Sequence, residues 1–164
     1  VDQMIRAALI KATDKVLEPS AGRGAIADKV AQITQHIYCV ETDPKSVQAL
    51  RLKGHQVYPG CFLTLYDPHE HHGIDQFDVV VMNPPFTKGQ VEKHILRAYG
   101  WLRPGGRLIS IVPIGIETKQ SKDSKRLQSI IADGGYIVHL PEKSFKESGT
   151  NVNVGMAVIV KSLN

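Results

Sequence analysis

Short apolar runs alternate with stretches of helical period along nearly the whole chain, and few folds accommodate that pattern. Val1 to about Ala12 has apolar spacings of three and four and predicts a helix. Lys15-Val16-Leu17-Glu18 reads as a buried strand, and the loop Pro19-Ser20-Ala21-Gly22-Arg23-Gly24 leads into a helix reaching about Ile33, with Ile26, Val30 and Ile33 on one face. His36 to Val40 is a second strand. Asp43 before Pro44 has the form of a helix cap with proline at the first helical position, and that helix ends near Gly54. Gln56 to Tyr58 is a short strand, Leu65 to Gln76 a polar loop, and Phe77 to Met82 a further strand. A helix from about Gln90 to Leu102, a tight turn at Pro104-Gly105-Gly106, a strand from Arg107 to Val112 and a helix from Lys122 to Ala132 follow. Strands at Tyr136 to Leu140 and Val154 to Lys161 close the chain.

Strands alternating with helices imply an α/β fold, a mostly parallel sheet with helices on both faces. The ending departs from that rule. Pro141 to Asn153 shows no helical period, and a parallel crossover needs a helix-sized connection. The last strand is therefore expected to run antiparallel to its neighbours.

A chain of 164 residues fits one domain over 1–164 and can bury a sizeable core. The chain starts at Val1, already within an amphipathic pattern, which reads as a trimmed start with a functional segment upstream. No apolar run spans a bilayer and no signal peptide is visible, so the expected setting is cytoplasmic, without membrane partners. Cys39 and Cys61 lack metal-ligand spacing and read as two reduced thiols. His69-Glu70-His71-His72 has no second ligand cluster near it and reads as a solvated loop, so no metal site is expected. A net charge of +4 and a pI of about 9.1 permit nucleic-acid binding without demonstrating it.

Two segments carry chemistry. The first is the glycine loop, Glu18 to Gly24. Its glycines allow close approach of a ligand to backbone, yet the dinucleotide fingerprint is incomplete and an acid precedes the loop. That acid disfavours a pyrophosphate and suits a cationic ligand. The same pattern also suits a plain strand-to-helix turn. Glu41 lies about 20 residues after the loop, where an acid can accept hydrogen bonds from ribose hydroxyls. A solvated acid ahead of the Asp43 cap is the alternative.

The second segment is Asn83-Pro84-Pro85-Phe86, at the end of a strand and hence where open α/β sheets bind ligands. Each proline holds the residue before it extended, so the Asn83 side chain and the Pro84 carbonyl form a rigid set of acceptors. Two acceptors can hold the two hydrogens of a planar amine, favour a pyramidal nitrogen and free its lone pair for attack on a methyl group. Phe86 offers a face on which a base can stack.

With these motifs the chain resembles class I S-adenosylmethionine-dependent methyltransferases of the amino-methylating, N6-adenine type. Val16 to Gly24 is similar to their cofactor loop, Phe77 to Phe86 to their catalytic motif, and Leu102-Arg103-Pro104-Gly105-Gly106-Arg107-Leu108 to the turn before their fifth strand. The resemblance implies a Rossmann-like seven-stranded sheet with a reversed last strand. It implies S-adenosylmethionine as cofactor, held by Glu18, Pro19, Ser20, Ala21, Gly22, Gly24, Glu41, Cys61, Phe62 and Asn83, and catalysis by Asn83, Pro84, Pro85 and Phe86. Two departures stand out. Cys61 occupies the place after the third strand where family members often carry an acid for the cofactor's adenine. The additional cofactor segment, with an aromatic residue or a Thr-Pro pair, is absent from the sequence and is expected upstream.

The substrate implied is N6 of adenine in DNA, flipped into the cleft. RNA, a protein glutamine, and a non-catalytic binding module of the same fold are the alternatives. No residues are left over for a groove-reading element, so recognition falls to a partner or to a further segment. Lys88, Lys93 and the loop from Ser144 to Asn153 are candidates for substrate contact, with solvated surface as the alternative.

Overall fold

The computed structural model describes residues 1–65, 76–87, 89–141 and 153–163. Its centre is a seven-stranded sheet in the order β3-β2-β1-β4-β5-β7-β6. The strands are β1 Val16–Glu18, β2 Ile37–Glu41, β3 Gln56–Pro59, β4 Phe77–Met82, β5 Leu102–Pro113, β6 Gly135–His139 and β7 Val154–Val160. The helices are α1 Asp2–Ala8, α2 Ala27–Val30, α3 Pro44–Leu52, α4 Gln90–Trp101 and α5 Lys122–Gly134, with a 3-10 turn at Ile114–Glu117. Pairings among β3, β2, β1, β4 and β5 are parallel, while β7 pairs antiparallel with both β5 and β6. The reversed last strand and the Rossmann-like architecture are therefore as expected. No helix among the described residues is long and apolar enough to cross a membrane.

Central strands read as continuous apolar runs because helices cover both sides. Val79, Val80, Val81 and Met82 are all buried. Alternate residues of β4 enter different halves of the core: Val79 and Val81 join α1 and α2, whereas Val80 and Met82 join α4 and α5. The second half is anchored by aromatic packing, with Trp101 set edge-on to Phe62 at 4.8 Å and stacked on Phe77 at 6.4 Å between ring centroids.

Four local expectations need correction. α1 stops at Ala8 instead of continuing to Ala12, because Leu9 turns left-handed (φ 48°). Arg107 of β5 donates to the carbonyls of Ala8 at 2.8 Å and Leu9 at 3.0 Å, so a guanidinium from the sheet satisfies the helix end. α2 is a single turn, since beyond Val30 the bonding tightens to Gln32 N–H on Lys29 and Ile33 N–H on Val30. Ile33 consequently leaves the apolar face and is 37% exposed. Finally, the Pro104-Gly105-Gly106 turn lies inside β5, not before it. Leu102 pairs with Phe77 and Arg107 with Val79, so the extra residues bulge out where Gly105 takes φ 75°. The Asp43 cap forms as expected, its carboxylate accepting from Ser46 N–H at 2.9 Å ahead of Pro44.

Gly24 shows how tightly the layers meet. It holds φ +90°, and a Cβ there would stand 2.9 Å from Leu50 Cδ2 of α3. Replacing Gly24 by Ala combines backbone strain with a clash, and is expected to cost about 1–3 kcal/mol. Urea unfolding checks this: a midpoint equal to that of the parent protein would show the position to be tolerant.

Candidate active site

β1 delivers Glu18 to the carboxyl edge of the sheet, and the chain then turns through Pro19 to Gly24 into α2. The loop is fastened to β2 at two points. Ala21 N–H donates to the Val40 carbonyl at 3.1 Å, and Gly22 N–H donates to Glu41 Oε2 at 2.7 Å. Glu41 Oε1 accepts from the backbone N–H groups of Thr42 at 2.7 Å and Asp43 at 2.8 Å. These charge-assisted bonds make Glu41 a clamp between loop and strand, while Oε2 keeps a second lone pair for a hydroxyl donor. From outside, Lys53 Nζ ties the Arg23 carbonyl at 2.8 Å to the Asp28 carboxylate at 2.6 Å.

Glu18 is 2% exposed, and its Oε2 has no hydrogen-bond partner. Burial pushes its carboxyl well above the usual carboxylate range; the Ala27 N–H opposes that shift, and the negative charges of Asp28 and Glu41 add to it. A cation with hydrogen-bond donors would relieve both costs, drawing off the proton and partnering the orphaned oxygen.

Two lobes of one cleft open at this edge. The larger, about 340 Å³, includes Pro19, Glu41, Cys61, Phe62, Pro85 and His94 in its wall. The smaller, about 210 Å³, includes Val1, Met4, Glu18, Ala21 and Ile26. Ser20, Gly22 and Asn83 line both. The larger lobe falls within the size range of small-molecule sites. One side combines apolar surface with acceptors for a nucleoside, and the other ends on Glu18, whose Oε2 has no partner. The donor and acceptor set thus fits a nucleoside joined to a cationic group.

Of the residues singled out in the sequence, Gly24, Pro84 and Phe86 line neither lobe. Gly24 packs under the loop against Leu50. Pro84 is buried, and Phe86 is half-buried against both halves of the core. Phe86 is thus first a packing residue, with only its remaining open surface offered outward. Cys61 is exposed in the cleft wall, whereas Cys39 is buried in β2, where desolvation pushes its thiol far up; both are free. Lys93 is exposed. Lys88, the run from His69 to His72, and residues 144–152 lie outside the described residues. Among the described residues no group of three or more His, Cys, Asp or Glu side chains could hold a metal ion.

Sequence reasoning missed Val1 and Met4 of the α1 segment and Gln90 and His94 of α4. Met4 reads as a core residue of an amphipathic helix, and nothing local tells which end of the sheet it meets. His94 did leave a signal: it is a polar residue on the stripe formed by Val91, Ile95 and Ala98, all buried.

A family model described as the methyltransferase small domain matches residues 3–139. No curated protein matches the chain in sequence. Solved structures share the fold. A modification subunit assigned to a type I restriction enzyme of Vibrio vulnificus YJ016 superposes with a TM-score of 0.79 at 20% identity, over 98% of this chain and 43% of that one. The type I restriction enzyme EcoKI M protein gives 0.71 at 15% identity, over 96% and 41%. The Thermus thermophilus 16S rRNA N2 G1207 methyltransferase, solved with AdoMet and guanosine, gives 0.65 at 17% identity, over 99% and 38%. The chain therefore spans less than half the length of each.

Proposed function

The chain belongs to the methyltransferase small domain family, and from that premise we propose that it methylates an exocyclic amine, N6 of adenine in DNA, with S-adenosylmethionine as cofactor. The observation that carries the proposal is the placement of Asn83, which lies at the carboxyl end of β4 and lines both lobes of the cleft. An acceptor there stands between a nucleoside lobe and a cation lobe, where a methyl group joined to both would be presented.

S-adenosylmethionine would supply an electrophilic methyl group carried on a positively charged sulfur, which would leave as the neutral thioether. Everything else falls to the chain. Glu18 would hold the cationic amino acid end, and Glu41 Oε2 would accept from a ribose hydroxyl. The Asn83 side-chain oxygen and the Pro84 carbonyl accept the two hydrogens of the substrate amine, and the nitrogen becomes pyramidal as positive charge develops on it. Pro84 and Pro85 hold those acceptors in place before the substrate arrives, so little reorganisation is needed during reaction. The open surface of Phe86 supports the flipped base. The surplus proton leaves once the nitrogen is positively charged, so no strong base is required.

Two of the similar structures are restriction-enzyme modification subunits, which favours DNA. The likeness to an rRNA N2 methyltransferase solved with guanosine favours RNA as the second reading, because N2 of guanine is also an exocyclic amine. In either case we place sequence recognition in a partner or in a segment beyond these residues.

Incubation with methyl-labelled S-adenosylmethionine and DNA, RNA or polypeptide tests the proposal. The expected product is N6-methyladenine in DNA. Label confined to an RNA base would move the substrate to the second reading. Label on glutamine alone would overturn the nucleic-acid assignment, and failure to bind the cofactor would remove the enzymatic reading.

A further inference from the structure

We propose that His94 is the acceptor that reads the adenine amino group of the cofactor in the larger lobe. The inference rests on that lobe being the nucleoside site. Adenine has two apolar faces and, on one edge, an amino group with two hydrogens to donate. A site that selects it needs apolar walls and an acceptor held in place. Val40, Phe62 and Pro85 supply apolar wall in this lobe.

Acceptors are scarcer than the lining suggests. The Glu41 oxygens already take three backbone N–H groups, and they sit beside the glycine loop. Ser20 and Asn83 belong to the junction with the smaller lobe. The Cys61 thiol is a weak acceptor. Gln90 contributes a side chain with three rotatable bonds, which carries donors as well as an acceptor.

His94 differs from all of these in being locked. One of its ring nitrogens, Nδ1, lies 2.8 Å from the Gln90 carbonyl. A carbonyl can only accept, so Nδ1 carries the proton and Nε2 presents a lone pair when the ring is neutral. Burial holds the imidazole below its ordinary pKa, against the pull of the Gln90 carbonyl, and so keeps it neutral. The ring is 5% exposed and packs on Phe62 at 5.9 Å between centroids, which fixes its plane. Among the described residues nothing bonds to Nε2. The chain thus has a rigid, neutral, single-atom acceptor in the wall that also contains Cys61.

Calorimetric titration of S-adenosylhomocysteine against its analogue with hydrogen in place of the 6-amino group tests this directly, without turnover. The parent protein is expected to prefer the amine about tenfold, or about 1.4 kcal/mol. His94→Phe keeps a ring on Phe62 but has no acceptor, and should bind the two ligands alike. His94→Gln, whose carbonyl oxygen reaches the Nε2 position, should restore most of the preference. Should His94→Phe fail to fold by circular dichroism, His94→Asn, too short to reach that position, replaces it with the same expected loss. A preference that survives His94→Phe or His94→Asn overturns the proposal, as does a parent protein that binds both ligands equally. In those cases the cofactor reading stands. Binding of neither ligand overturns both.

Discussion

Asn83→Ala is expected to lower kcat by about 10²–10³-fold, the usual loss when one preorganised group facing a developing charge is removed. Affinity for S-adenosylhomocysteine should change only a few-fold, because the nucleoside and cation lobes keep their other walls. The asymmetry follows from where the interaction is made. Asn83 lines both lobes, but its proposed bond to the amine strengthens only as the nitrogen becomes pyramidal and positive. Such a group acts on kcat and kcat/KM together. Asn83→Asp keeps oxygen acceptors at the same reach and should retain part of the activity. Steady-state kinetics on the methylated polymer decides: an Asn83→Ala variant with normal kcat and a raised KM would make Asn83 a binding residue only.

Glu18→Gln is expected to change binding and stability in opposite directions. Removing the carboxyl proposed to give up its proton and meet the cofactor's cationic end should weaken binding by at least about 2 kcal/mol, roughly thirtyfold. The free protein should become more stable at neutral pH. The sign follows from linkage. Burial raises the folded carboxyl above its unfolded value of 4.5, so the folded chain keeps its proton while the unfolded chain releases its own. The folded state then binds more protons, and stability falls as pH rises from about 4.5 through the folded value. A carboxamide at this position does not titrate, so in Glu18→Gln that decline should disappear. Melting curves between pH 4 and 8, with and without S-adenosylhomocysteine, separate the effects. A parent protein whose stability from this group rises with pH, or a Glu18→Gln variant that binds the ligand normally, would remove Glu18 from the cation site.

Some of this was legible residue by residue. The Phe77–Met82 strand, the Asp43 cap and the reversed Val154–Val160 strand follow from short-range rules of period, capping and connection length. Other elements were not. The early end of α1, where Leu9 turns left-handed, has its carbonyls satisfied by Arg107, 98 residues from Leu9, and a helical period cannot anticipate a guanidinium arriving from a distant strand. The open face of α2 was misjudged for a related reason, since the period continues to Ile33 while the backbone has already tightened. Phe86 was legible as an aromatic side chain but not as a packing residue, because its partners come from both halves of the core.

The sequence by itself determined the stiffness of Asn83-Pro84-Pro85-Phe86 and its place in the fold. Proline restraint acts on adjacent residues, and a strand ending there places the segment at the ligand edge. Tertiary structure alone decided what surrounds it. β1 and β4 are neighbours although more than a helix and two strands separate them, so Glu18 and Asn83 share one lobe. The same strand order brings Glu41 to 2.7 Å from Gly22, admits Val1 and Met4 beside the acid, and places His94 in the wall with Cys61. Period and propensity act over a few residues, whereas these meetings depend on which strands pair and how the helices pack across them.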